Sequence, residues 1–170
     1  DVAFKKRVTE RLQLGLTFAP DPKRCAPTEG ELRGIVHDDN ARAMGGVAGH
    51  AGLFGTATDV SHMVSHLVDV WHGTPGILTP KTMQRFWSPA GVPRSTWCLG
   101  WDRPAQTGSS AGERWPKSGV GHLGFTGCSI WIDPPRRRHV VLLTNRVHPT
   151  ATNEQIRQFR PQLHDLIVKT

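Results

Sequence analysis

One histidine, His122, lies in a glycine-rich stretch whose composition suits acyl-transfer chemistry. Four glycines surround it within nine residues: Gly119, Gly121, Gly124 and Gly127. Because glycine has no Cβ atom, a substrate can approach the backbone of such a stretch closely. The backbone N–H groups that follow the histidine could then point at an oxyanion that develops during acyl transfer. A glycine-rich strand end is also typical of a simple tight bend, so composition alone leaves both interpretations open.

Polar residues also border a second glycine-rich segment. Five glycines occur among residues 41–55, His37, Asp38 and Asn40 precede this segment, and His50 lies inside it. The segment lacks the lysine of a phosphate-binding loop and the strand and helix that would flank one, so nucleotide binding is not indicated. Polar side chains commonly satisfy buried amides in such loops. We therefore predict that these residues support the site structurally, by hydrogen bonds to loop backbone, and we favour that role over metal binding.

Two further patterns are weaker. His62 and His66 are four residues apart on a predicted helix, with Asp69 three further on, which is the spacing of a transition-metal pair. We predict instead that they lie on a solvated face, because the apolar residues of that helix define another side: Val60, Met63, Val64 and Leu67. Residues 108–112 match the Gly-x-Ser-x-Gly nucleophile elbow, but no apolar strand precedes them and no helix follows, so we predict a flexible loop. Neither pattern predicts a metal or another cofactor.

The composition argues against several classes of protein. The 170 residues include 21 Lys+Arg and 14 Asp+Glu, a net charge of +7. Binding to nucleic acid needs basic residues clustered on one face. The only dense basic run, Arg136–Arg138, lies between two apolar stretches and is typical of a hairpin turn, so we predict no nucleic-acid partner. No run approaches about 18 apolar residues, so no membrane-spanning helix is predicted.

The order of the predicted elements indicates an α+β fold. A helix is predicted to begin at Thr56 or Thr58 and to end at Gly73, and a shorter one follows from Thr79 to Trp87. Strands are predicted at 97–101, 119–124, 128–132 and 139–145, before a final amphipathic helix that carries Ile156, Phe159, Leu163, Leu166 and Ile167. Closely spaced strands form an antiparallel sheet, which the helices would cover. Residues 1–33 are predicted to be a basic, irregular segment and residues 34–170 to form the domain.

Several motifs occur in an order that resembles the serine beta-lactamase-related hydrolases. These motifs are Val36-His37-Asp38-Asp39-Asn40, Gly45-Gly46-Val47-Ala48-Gly49-His50-Ala51-Gly52-Leu53-Phe54, Gly121-His122-Leu123-Gly124-Phe125-Thr126-Gly127 and Thr144-Asn145-Arg146-Val147-His148-Pro149. The resemblance is to class C beta-lactamase-like esterases and penicillin-binding-protein-like enzymes, and it runs from about Gly34 to Val168. It implies a beta-lactamase/transpeptidase-like fold and acyl transfer from a small ester or amide substrate to water.

The resemblance also implies roles for individual residues. In this family a Lys-Thr-Gly or His-Thr-Gly element on a strand borders the site and lends a backbone N–H to the oxyanion hole. His122-Leu123-Gly124 is similar to that element. By this analogy His122 borders the acyl pocket, Gly124 lets the substrate approach, and the N–H of Phe125 is the oxyanion donor. Leu123 replaces the usual Thr or Ser hydroxyl, which favours an esterase-like activity over beta-lactam recognition.

The two other elements of the family site do not occur in this sequence. None of its eight serines has a lysine three residues later, and it contains no tyrosine, so Ser-x-x-Lys and Tyr-x-Asn are absent. We expect both to lie upstream of Asp1, which would make this chain the C-terminal part of a serine hydrolase domain. The missing N-terminal part would then be its essential partner, and the chain alone would be inactive. The alternative is a non-catalytic binding module that keeps the fold.

No residue of the sequence indicates a cellular compartment. The resemblance is to bacterial, often exported enzymes, so it implies a periplasmic or exported location. It implies no cofactor, because the reaction of this family uses only protein groups and water.

Overall fold

The computed structural model describes residues 1–169, and in that range helices alternate with a small sheet. The chain begins with three short helical segments that follow one another without a break and are together called α1. They are Val2–Phe4 (α-helical), Lys5–Thr9 (π-helical) and Glu10–Leu12 (α-helical). Four helices follow: Asp39–Ala43 (α2), Ala57–Trp71 (α3), Pro80–Phe86 (α4) and Ile156–Lys169 (α5). None of the helices in this part of the chain is long and apolar enough to cross a membrane.

Helices α3 and α4 each begin at a predicted capping residue, which for α3 is Thr56 and not Thr58. The hydroxyl of Thr56 accepts a hydrogen bond from the N–H of Asp59 (3.1 Å), and that of Thr79 accepts one from the N–H of Thr82 (3.1 Å). Pro80 then occupies the first position of α4, where its missing N–H costs nothing. Both predicted helices are confirmed. Their starts were predictable because each cap is a local interaction between residues close in the sequence.

The sheet has three antiparallel strands in the order β1-β2-β3: Val120–Leu123, Ser129–Asp133 and Arg138–Leu142. They confirm three of the four predicted strands, and the basic run lies in the predicted turn between β2 and β3. The prediction of a strand at 97–101 is wrong. Only the next residue pairs with the sheet, through a single bridge between Asp102 and Gly121.

Each face of the sheet packs against a different helical layer, which makes the fold α+β as predicted. One face joins α3 and α4 in the main core, whose buried members are Val64, Leu67, Val68, Val70, Met83, Trp87, Cys98, Val120 and Ile132. The other face meets α5 in a smaller cluster of Ala111, Trp115 and Trp131, with Val140 and Val168 packed against it. Because side chains alternate across a strand, Val120 and His122 lie on the α3 face and Gly121 and Leu123 on the α5 face.

Helix α5 does not bury the side that its apolar residues predict. Phe159 and Leu166 are 47% and 65% exposed, whereas Arg160 and His164 are 6% and 0% exposed. Nδ1 of His164 donates to the carbonyl oxygen of Ser110 (3.0 Å). These two polar residues therefore replace apolar ones at the centre of the helix–sheet contact.

The buried ring of His164 should make stability depend on pH. Burial lowers the pKa of His164, so protons bind the unfolded chain at a higher pH than the folded one. The stability that the neutral ring contributes is complete above about pH 6.5 and is lost below it, by up to about 1.4 kcal/mol per pH unit. We expect His164→Asn, which keeps a donor for Ser110, to flatten the pH dependence of the free energy of unfolding between about pH 7 and pH 5.

Urea unfolding at several pH values measures this effect. His62→Asn, at an exposed position of α3, controls for the loss of an imidazole as such. An unchanged slope in His164→Asn would show that His164 does not take up a proton on unfolding.

The first 33 residues are more ordered than predicted. Residues 2–12 are helical, and turns of 3₁₀-helix occur at Pro22–Arg24 and Glu29–Glu31. Thr17 and Phe54 exchange both backbone hydrogen bonds (3.0 and 2.8 Å), which ties this segment to the glycine-rich loop. Long-range pairing of this kind leaves no local signal in the sequence.

Candidate active site

The outer edge of β1 presents unpaired backbone groups at its C-terminal end, beyond Gly121. The N–H of Gly124 donates to Cys128 across the β1–β2 hairpin (2.7 Å), and Gly121 exchanges both bonds with Asp102 on the opposite side. Because backbone groups alternate between the two sides of a strand, the backbone N–H and carbonyl of Leu123 point to the outer side.

The carbonyl of Gly124 accepts from the N–H of Gly127 inside the turn, so the N–H of Phe125, which belongs to the same trans peptide, points away from the turn interior. No group within residues 1–169 pairs with this N–H or with the outward backbone groups of Leu123. The C-terminal end of the β1 edge, beyond Gly121, is therefore free to bind a carbonyl oxygen.

His122 stands beside this edge on the face that packs against α3 and α4. Its ring is exposed and lies 5.7 Å from the ring of Trp97, centroid to centroid, at an angle of 58°. The indole covers one side of the imidazole and leaves the remainder open to solvent. The structure thus places His122 next to the free edge, with an aromatic wall that the sequence did not indicate.

A tight turn connects β1 to β2 and holds Phe125 at its tip. The N–H of Gly127 donates to the carbonyl of Gly124 (3.1 Å), and Gly127 adopts φ +120°. A Cβ atom at this position would lie 2.6 Å from the hydroxyl oxygen of Thr144 and 3.0 Å from the backbone nitrogen of Arg146. Only glycine fits such a backbone conformation and such a close approach.

Aromatic and cationic groups surround the side chain of Phe125, which is 63% exposed. The guanidinium carbon of Arg146 lies 4.3 Å from the centre of the Phe125 ring, a cation–π distance. Nε of Arg146 also donates to the carbonyl of Phe125 (2.8 Å). The ring of His37 stacks on Phe125 at 5.5 Å and 25°. These contacts fix the tip of the turn from two other parts of the chain.

A carboxylate orients His37 in this position. Nε2 of His37 donates to Oε2 of Glu29 (3.3 Å), while Oε1 of Glu29 accepts from the N–H of Ala151 (3.0 Å). The bond from Ala151 and then that from His37 hold the pKa of Glu29 below its usual value. His37 therefore pairs with a side-chain carboxylate, whereas the sequence predicted a bond to loop backbone.

Asp38 and His50 form a second pair, away from Phe125. Oδ1 of Asp38 caps α2 by accepting from the N–H of Ala41 (2.8 Å) and also accepts from Nε2 of His50 (3.1 Å). These two bonds, that of Ala41 first, lower the pKa of Asp38. Asp38 thus binds the backbone of helix α2 and His50 binds a carboxylate, so neither side chain makes the predicted bond to loop backbone. Asn40 is exposed in the first turn of α2 and contributes no side-chain hydrogen bond within the described residues.

The two weaker patterns have structural explanations. Nε2 of His66 accepts from the N–H of Ile77 (3.1 Å), so the prediction that His66 is solvated is wrong, while His62 is exposed. The serine at the nucleophile position of the Gly-x-Ser-x-Gly match is Ser110, which lies in a turn. The described residues next to it form no strand before it and no helix after it, so the predicted loop is confirmed. The neighbouring Ser109 is buried, and its hydroxyl accepts from the N–H of Ala111 (3.1 Å) within the same turn.

Sequence reasoning missed three residues around the site: Trp97, Arg146 and Arg160. Nη2 of Arg160 donates to the carbonyls of Gly124 (2.8 Å) and Cys128 (2.7 Å), so it holds the turn from the interior. One signal was available for it. Arg160 lies four residues after Ile156 and three before Leu163, on a stripe otherwise assigned to the core. A charge in such a stripe indicates a specific polar partner inside the fold.

The sequence and the fold are similar to those of known proteins. The family model described as Beta-lactamase matches residues 1–164. A beta-lactamase from Mycobacterium bovis superposes on 97% of this chain and 54% of its own, with a TM-score of 0.63 and 17% identity, which shows a shared fold.

Two curated relatives are similar over most of this chain. An N-acetylmuramyl-L-alanine amidase of Bacillus subtilis is 34% identical over 124 residues, which are 69% of this chain and 27% of the amidase. A putative D-alanyl-D-alanine carboxypeptidase of Salmonella agona is 32% identical over 129 residues, 74% of this chain and 30% of the relative. The matched stretch thus spans less than a third of either relative.

Proposed function

Because the chain belongs to the beta-lactamase family, which includes penicillin-binding-protein-like enzymes, we propose that it forms one wall of the acyl-transfer site of a serine hydrolase. The free edge of β1 carries this proposal. It presents the N–H of Phe125 beside the exposed imidazole of His122, with Gly124 between them. A substrate carbonyl could approach this wall without meeting a side chain at Gly124.

The proposed reaction proceeds through an acyl-enzyme. A serine supplied by a part of the protein outside these 170 residues attacks the carbonyl carbon of an ester or amide, and a base takes its proton. The carbonyl oxygen becomes an oxyanion and accepts from the N–H of Phe125, which is unpaired and needs no reorganisation. The alcohol or amine then leaves with a proton, and water cleaves the acyl-enzyme. His122 borders the pocket, where its imidazole can hydrogen-bond the substrate.

Two observations support an ester or amide substrate. The relatives named above include an amidase and a putative carboxypeptidase, and both names describe cleavage of an acyl–nitrogen bond. Leu123 offers no hydroxyl for a substrate carboxylate, which favours substrates without a carboxylate at that position. We therefore propose an esterase-like or amidase-like hydrolase, with His37, Asp38, Asn40 and His50 as structural neighbours of the site.

A fluorophosphonate probe applied to the full gene product tests the proposal. We expect one labelled serine after digestion and mass spectrometry, outside the eight serines of this sequence. Denatured protein is the control, because labelling of an activated serine requires the folded site. Absence of any labelled serine would overturn the proposal in favour of a non-catalytic binding module. A label on one of these eight serines would overturn it differently, because the nucleophile would then lie within this chain.

A further inference from the structure

We infer that Arg160 is the positioning residue of the oxyanion hole: it holds the Gly124–Phe125 peptide by its oxygen and thereby aims its N–H at the substrate. This inference rests on the proposed function for its catalytic consequence, but the contacts that support it do not depend on that function. None of the motifs that point to the family includes Arg160.

The argument begins with a peptide group. The carbonyl of Gly124 and the N–H of Phe125 belong to the same planar unit, and in a trans peptide these two groups point in opposite directions. Nη2 of Arg160 donates to that carbonyl at 2.8 Å from the interior side. The N–H of Phe125 therefore points away from Arg160, toward the outer edge of β1.

The same nitrogen also fixes the other end of the turn. Nη2 of Arg160 donates to the carbonyl of Cys128 at 2.7 Å, and this carbonyl also accepts from the N–H of Gly124. Nη2 of Arg160 thus bridges Gly124 and Cys128, the two residues that flank the tip of the β1–β2 turn. Rotation of the Gly124–Phe125 peptide would break the bridge, so the orientation of the donor is restrained in the free enzyme, as a preorganised oxyanion hole requires.

The charge of Arg160 adds to its geometric role. The side chain is 6% exposed, and among residues 1–169 no carboxylate lies within salt-bridge distance of it. Burial lowers the pKa of Arg160 from its usual value. A buried charge without a counter-ion is costly unless its hydrogen bonds compensate. Here the hydrogen bond from Arg160 to the Gly124 carbonyl polarises the Gly124–Phe125 peptide. The N–H of Phe125 is therefore a stronger donor to the oxyanion as negative charge develops on it.

Arg146 serves as a comparison within the same turn. Its Nε donates to the carbonyl of Phe125, which belongs to the following peptide, and its guanidinium is at the surface over the Phe125 ring. It stabilises the tip of the turn without touching the donor peptide. Arg160 alone, among the described residues, has a side chain that binds the oxygen of that peptide.

Steady-state kinetics of the full gene product on an activated ester such as p-nitrophenyl acetate tests the inference. We expect Arg160→Met to lower kcat about 100-fold, with KM changed less than about threefold, because an oxyanion donor acts mainly in the transition state. Arg160→Lys should recover part of the loss, since an ammonium group can bind one of the two carbonyls. The matched control is Arg157→Met, an exposed arginine of the same helix that pairs with Glu154 (2.9 Å).

A second measurement does not depend on activity. In ¹⁵N-labelled protein, the amide resonance of Phe125 should shift in Arg160→Lys and exchange faster with solvent, while both stay unchanged in Arg157→Met. If Arg160→Met does not fold, the kinetics and the Phe125 amide resonance of Arg160→Lys test the inference. Equal losses in Arg160→Met and Arg157→Met, or an unchanged Phe125 amide, would overturn the inference. A wild-type protein without any hydrolysis would overturn the proposed function instead, while the amide shift would still decide the role of Arg160.

Discussion

Replacing His122 by alanine should lower kcat/KM for an ester substrate about 100-fold in the full gene product. The exposed imidazole lies beside the free edge of β1 and is walled on one side by Trp97. Alanine leaves no group at this point to hydrogen-bond the substrate or to move a proton. Since the ring is exposed, the change should leave the midpoint of thermal unfolding within about 2 °C. Initial rates over a range of substrate concentrations measure the effect.

A second histidine gives a matched control for this variant. His62→Ala removes an imidazole that is also exposed but lies on α3, and it should leave kcat/KM unchanged. The imidazole of His122 would have no part in the reaction if His122→Ala retained more than half of the wild-type rate. The fluorophosphonate experiment would then decide whether the acyl-transfer site lies elsewhere.

Replacing Gly121 by alanine should destabilise the fold by about 3 kcal/mol, because an added methyl group cannot be accommodated. A Cβ atom there would lie 2.3 Å from the ring of Trp131 and 2.5 Å from the carbonyl oxygen of Ile130. Trp131 is 2% exposed and fills the space between the sheet and α5, so it has no room to move. The midpoint of thermal unfolding should fall by roughly 6–12 °C.

Gly49→Ala is the control for this substitution. Its Cβ would meet nothing within 4 Å, and its φ lies outside the left-handed region. We expect its midpoint to stay within about 2 °C of wild type. If the two variants melted alike, the close packing of Trp131 on β1 would not contribute to stability.

Most of the secondary structure follows from local signals in the sequence. The caps Thr56 and Thr79 fix the starts of α3 and α4, because a hydroxyl satisfies a free amide only a few residues away. The β2–β3 hairpin follows from β-branched runs that flank a proline- and arginine-rich turn. The strand predicted at 97–101 failed because a short aromatic run fits a loop that packs on a core as well as it fits a strand.

The candidate site also combines features that follow from the sequence with features that depend on the tertiary structure. The sequence by itself determined that His122, Gly124 and Phe125 share one glycine-rich strand end, and that the motif order resembles a hydrolase family. Those are properties of neighbouring residues and of their order along the chain.

Only the tertiary structure decided which groups hold that strand end. It brings Arg160 beneath Gly124, 36 residues away, and His37 onto Phe125 from the N-terminal side of the chain. It also selects Arg160 and His164, in place of Phe159 and Leu166, for the buried side of α5. The physical reason is that the turn presents inward-facing carbonyls that need donors. Hydrophobic periodicity records apolar area along a helix, but it contains no information about polar groups that a distant segment exposes to that helix.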